Sequence, residues 1–161
     1  MKRKNLHAGS RRSRVAGGAW AILIALPLAV VSPLSDAADA PPNACPVDGC
    51  EVKIIAVEKQ GDELRLTLEA NYTPDMSRNH IHVWWGENYK VEQVSNNAEP
   101  VHHVKQGEWH PTADYPNYVT QSAVSTSLRG TAKTICVSAG DRNHDIIDVT
   151  KFTCMDVSGH L

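Results

Sequence analysis

The chain has 161 residues, a formal net charge of −2, 42% hydrophobic residues and only 6% aromatic ones. That length fits one domain with an appendage. Its 16 Lys and Arg against 18 Asp and Glu are unevenly spread, and most of the chain lacks the clustered cations that nucleic acid or anionic lipid requires.

The appendage comes first. Lys2, Arg3, Lys4, Arg11, Arg12 and Arg14 precede an uncharged run from Val15 to Leu34 with an apolar heart from Ala19 to Val31. Small residues follow at Ser35, Ala37 and Ala38. Basic, apolar and small, in that order, is the pattern of a cleavable secretory signal. Cleavage after Ala37 puts small side chains at both positions that demand them. Pro27 and Pro33 interrupt a stretch only just long enough to span a bilayer, so no stable membrane span is expected once residues 1–37 are gone. Of the 16 basic residues six leave, and of the 18 acidic residues Asp36 leaves, so 10 face 17 and the exported chain carries −7. A periplasmic or secreted acidic protein is expected.

Residues 38–50 read as a lead-in ending in a short cysteine loop, and residues 51–161 as one β domain. Val52, Ile54 and Ala56 are expected on one face of a first strand, and Gln60-Gly61-Asp62 turns the chain. Leu64, Leu66, Leu68 and Ala70 alternate with Glu63, Arg65, Thr67 and Glu69, the period of a strand with one wet face. Asn79 to Gly86 places Ile81, Val83 and Trp85 on one face and His80, His82 and Trp84 on the other. A short strand is expected over 90–94, an irregular region over 98–117, and further strands over 118–128, 133–139 and 148–157. About seven short strands with turn residues between them suggest an all-β antiparallel sandwich. In this pattern the chain resembles the immunoglobulin-like and fibronectin-type domains of exported bacterial proteins, and the resemblance implies their two-sheet architecture, with Trp85 buried.

Cys45, Cys50, Cys136 and Cys154 form an even set in an exported chain, which implies disulfides. If Ile135, Val137, Met155 and Val157 point inward, Cys136 and Cys154 point outward from consecutive strands and can lie opposite each other. Cys45 and Cys50 then pair around the turn Pro46-Val47-Asp48-Gly49. Pairings that tie the amino-terminal cysteines to the last strands remain open at this level.

Histidine carries the main chemical signal. His80 and His82, two apart on a strand, project from one face, a spacing that suits copper or zinc. His102, His103 and His110 could complete a site if the irregular region folds back over that face. The competing reading is a wet strand face that happens to use histidine. Trp84 and Trp109 could form an exposed platform for sugars, as in a carbohydrate-binding module, or could cover the sheet beneath a loop. Asp141, Asn143, Asp145 and Asp148 alternate in a turn without the spacing of a calcium loop, which favours a solvated hairpin tip. There is neither a Gly-x-Ser-x-Gly elbow nor a His-Glu-x-x-His pair, and bridged cysteines offer no nucleophile, so no catalytic residue is assigned. The expectation is a non-enzymatic exported sandwich that binds an unidentified protein or small ligand without a cofactor; the alternative is a copper- or zinc-binding protein.

Overall fold

The protein is described as a computed structural model, which covers residues 44–161. The expected signal and the start of the lead-in lie outside the described residues. Seven strands form two antiparallel sheets. β1 (Val52–Gln60), β2 (Glu63–Ala70) and β5 (Asn117–Val119) make a sheet in the order β1-β2-β5; β3 (His80–Trp85), β4 (His110–Thr112), β6 (Thr134–Gly140) and β7 (Phe152–Asp156) make the other in the order β4-β3-β6-β7. The all-β sandwich expected from the alternating pattern is what forms.

The space between the sheets is filled by Val52, Ile54 and Val57 of β1 and Leu64, Leu66 and Leu68 of β2, packed against Ile81, Val83 and Trp85 of β3 and Ile135 and Val137 of β6. All are side chains whose burial stabilises by roughly 1.5–3 kcal/mol each. The strict alternation of β2 transfers directly into this core. In β1 the phase shifts: the register against β2 breaks between Ile54 and Ala56, Ile55 bulges outward at 54% exposure, and Val57 replaces Ala56 on the inner face. An extra residue in one strand reverses the alternation beyond it, which is why the expected place of Ala56 on the inner face goes to Val57.

Two expected strands are corrected. Residues 90–94 form a 3-10 turn over Val91–Gln93, and of residues 118–128 only Asn117–Val119 pairs in a sheet, followed by 3-10 turns at Ser122–Val124 and Thr126–Leu128. In the second case Glu63 takes the Thr126 amide (2.9 Å), a group that a ladder would use, and also accepts from the Thr120 hydroxyl (2.6 Å). The irregular region holds the short helix α1 (Glu99–His102) as well as β4.

Both disulfides form as expected. Cys45 is bonded to Cys50, and Cys136 to Cys154, which the register of β6 and β7 sets directly opposite each other. Cys136 lies on the outer face of its sheet with Trp84, while Val157 and the partly buried Met155 pack into the inner core. Closing this loop contributes on the order of 3 kcal/mol in the chain-entropy view. Two disulfides are the mark of an oxidising environment. No helix among the described residues is long and apolar enough to cross a membrane.

Candidate metal centre

β3 is buried along its entire length, on both faces. Its inner face is apolar. Its outer face, carrying His80, His82 and Trp84, is roofed by the segment that follows: Val91, Val94, Val104 and Trp109 pack with Trp84 and Cys136 into a second cluster. The irregular region thus does fold back over the histidine face. Val104 and Trp109 of that region bring apolar cover, and Val94, just before it, brings one backbone carbonyl.

His80 and His82 are both 0% exposed. Their Nε2 atoms lie 3.2 Å apart. The third partner is His144, whose Nδ1 is 2.8 Å from His80 Nε2. One ligand nitrogen from each of the three rings falls within a 4.8 Å group. Trp109, itself 0% exposed, stacks on the His82 ring with centroids 4.2 Å apart and an interplanar angle of 25°. Its indole Nε1 is buried without a hydrogen-bond partner.

The tautomers follow from the neighbours. His82 Nδ1 lies 2.8 Å from the Val94 carbonyl and His80 Nδ1 lies 3.4 Å from the Arg78 carbonyl. A carbonyl only accepts, so each Nδ1 carries its proton and each Nε2 presents a lone pair. A ring N–H donated to a backbone carbonyl is also the arrangement that orients a metal-ligating histidine. Burial, reinforced by His144, pushes the His80 pKa down to about 4, against smaller opposing effects of the Arg78 carbonyl and Asp141. Burial, reinforced by His80, pushes that of His82 down to about 3. Both rings are therefore neutral at neutral pH, the state a metal requires.

Local sequence explains how His144 arrives. Gly140, the last residue of β6, pairs with His80 in the β3–β6 register. A Cβ at Gly140 would meet His82 Nε2 at 2.3 Å, so only glycine leaves the ring its room. The chain then turns through Asp141, whose Oδ1 accepts the amides of Asn143 (2.7 Å) and Asp145 (3.0 Å). His144 takes a left-handed φ of 62°, a conformation costing about 1 kcal/mol outside glycine. The turn is held against the segment after Val94: the Asn96 amide donates to the His144 carbonyl (2.9 Å), the Asn97 amide to Asp145 Oδ1 (2.7 Å), and the Ile146 amide to Ser95 Oγ (3.1 Å). One stretch, Val94 to Asn97, thus sets the His82 tautomer and fixes the turn bearing the third ring.

The other expected site residues lie elsewhere. His102 and His103 are exposed at the end of α1, and His110 sits half-buried on β4 with its ring 5.8 Å from that of Tyr118. None of them joins the group formed by His80, His82 and His144 among the described residues. β4 pairs with the edge of β3 opposite β6, with His110 across from Val83, which keeps His110 apart from the His144 turn. Trp84 and Trp109, at 1% and 0% exposure, offer no open ring face for sugars; the roof described above consumes them. Asp141 and Asp148 spend their Oδ1 atoms on their own turns, Asp148 Oδ1 accepting the Thr150 amide and hydroxyl, while Asp145 Oδ1 accepts from Asn97 and Ser95.

His144 is the residue that the sequence reading missed. It stands in a polar turn far along the chain, and its only early signal is its place just beyond the strand that would pair with β3. Compared with known protein families, curated proteins and solved structures, the chain matches none, so what can be said of its role rests on this geometry.

Proposed function

We propose that this protein is an exported, non-enzymatic metal-binding domain that holds one zinc or copper ion on His80, His82 and His144. One observation carries the reading. His80 and His82 aim two Nε2 lone pairs at each other across 3.2 Å in a buried pocket, with both Nδ1 protons already given to carbonyls. An N–H from His144 can satisfy one of them; the other faces only an acceptor. Leaving a buried polar group unsatisfied costs roughly 1–3 kcal/mol. A cation bound by imidazole nitrogens removes that cost, and imidazole suits zinc and copper.

The surroundings support the same role. The three ligands come from one strand, β3, and a turn tied down by Val94–Asn97, so the site is held before the ion arrives. The amino-terminal leader pattern and the two disulfides support a periplasmic or secreted location. The strand order β1-β2-β5 over β4-β3-β6-β7 supports the immunoglobulin-like reading of the sandwich.

The test is elemental analysis of the purified protein after incubation with zinc or copper and exhaustive dialysis. One equivalent of metal is expected, lost in His80→Ala/His82→Ala and weakened about 10- to 100-fold in Gly140→Ala, where the added methyl displaces the His82 ring. Retention of neither ion by the unaltered protein refutes the assignment.

A further inference from the structure

The three nitrogens are not equivalent, and their spacing discriminates between the two ions. Resting on the metal-binding reading above, we infer that the ion is copper(II), held in a T-shaped equatorial set with His80 between His82 and His144, and that the fourth equatorial position, opposite His80, takes a small exogenous oxygen or anionic ligand.

A tetrahedral ion with bonds of about 2.0 Å sets each pair of ligand nitrogens about 3.3 Å apart, so three of them make an equilateral triangle. A square-planar ion with similar bonds sets neighbouring nitrogens about 2.8 Å apart and opposite ones about 4.0 Å apart. Here His80 is the shared corner of two short edges, 2.8 Å to His144 and 3.2 Å to His82. The ring separations follow the same order: 4.6 Å and 5.1 Å from His80 to its two partners, and 6.3 Å between His82 and His144. All three ligand nitrogens lie within 4.8 Å of one another, against the about 4.0 Å that opposite ligands need, so a small inward movement of the rings on loading brings them to one ion. Tetragonal nitrogen coordination is the preference of copper(II) rather than of zinc.

The fourth position follows from what the protein does not supply. No fourth His, Cys, Asp or Glu joins the group among the described residues. Asp141, the carboxylate that acts electrostatically on His80, has its Oδ1 committed to two amides of its turn. Three neutral imidazoles leave the double charge of the ion uncompensated beside apolar cover, an environment that penalises net charge heavily. A small anion or hydroxide in the fourth position reduces that charge. His144 is half-buried while His80 and His82 are fully buried, so the turn bearing His144 is the side from which an external ligand arrives.

Every nitrogen site prefers copper(II) to zinc in the Irving–Williams order, so affinity alone does not decide the matter; the spectrum does. The experiment loads the purified protein with one equivalent of copper(II), records its electron paramagnetic resonance spectrum, and then adds azide. The expected spectrum is axial and tetragonal with superhyperfine coupling to three nitrogens, and azide shifts it and adds a charge-transfer band. Copper(II) is also expected to quench the fluorescence of Trp109, stacked on His82, whereas zinc leaves it; Trp109→Phe removes that component. His144→Ala reduces the coupled nitrogens from three to two, and His144→Gln gives the same count if the alanine variant folds poorly. A flattened-tetrahedral spectrum, fewer than three nitrogens in the unaltered protein, or no response to azide overturns this inference while leaving a stoichiometric metal site intact. Failure to retain either ion overturns the metal-binding reading itself.

Discussion

The two faces of β3 are equally buried and chemically opposite. Ile81, Val83 and Trp85 point into the space between the sheets, where they pack in the main apolar cluster. His80, His82 and Trp84 point outward beneath a roof drawn from residues 91–109. The inner face obtains its stability from removing carbon from water, a non-directional effect proportional to area. The outer face has two imidazoles whose desolvation must be offset by directional contacts, and the contacts in place leave two lone pairs opposed. The same six residues therefore divide the strand between an apolar face that holds the fold together and a face that gathers buried histidine nitrogens. A face made only to be stable would have used Val or Leu at 80 and 82.

That contrast can be broken from either side. The largest loss is expected from the inner face: Trp85→Ala should cost about 3–5 kcal/mol in chemical denaturation through the transfer and cavity terms, and by the same amount with and without bound metal. Equal values in both states would confirm that the inner face is indifferent to the ion. A cost that changed on loading would show the two faces to be coupled.

Next comes the disulfide that closes β6 onto β7 beside the outer cluster. Cys136→Ser/Cys154→Ser should cost about 3 kcal/mol, read from the denaturation midpoint, while Cys45→Ser/Cys50→Ser, with a separation of 5 residues against 18, should cost less. The reverse ranking would show that the value lies in local geometry rather than in loop length.

Of the two faces of β3, acid should act on the outer one. His80 and His82 titrate at about 4 and about 3 when folded, against an ordinary value of 6.5. Between those limits the unfolded chain binds more protons, so stability is complete above pH 6.5 and falls as the pH drops through the window toward 3. The slope is at most about 1.4 kcal/mol per pH unit for each ring. His80→Phe/His82→Phe should flatten that limb of the metal-free pH–stability profile. An unchanged slope would place the acid sensitivity elsewhere.

The smallest effect sharpens the comparison by its absence. His102→Ala and His103→Ala, both on the exposed end of α1, should change stability by less than about 0.5 kcal/mol and leave metal content unaltered. Loss of metal in either would mean that α1 reaches the centre in solution.

Much of this was legible in the chain because it depends on neighbours in sequence. The two-residue period of 63–70 set the faces of β2, and the His-x-His spacing put two rings side by side whatever the rest of the fold. Cys136 and Cys154 could be matched because their parity follows from the apolar residues flanking them. Ile55 defeated the same reasoning, since one bulged residue inverts every assignment after it. Residues 118–128, rich in Val and Thr, looked like a strand because their propensity is that of a strand; Glu63, some sixty residues earlier, redirected their hydrogen bonds.

What the sequence by itself determined, then, was the fold class, the outward parity that lets Cys136 face Cys154, and the adjacency of His80 and His82, all of which follow from local period and parity. Only the tertiary structure decided the third ligand, the burial of Trp84 and Trp109, and the tautomers of His80 and His82. Each depends on where a distant backbone segment comes to rest. The roof over β3 and the turn after Gly140 are fixed by hydrogen bonds between residues some fifty positions apart, and such contacts leave no periodic trace in the chain.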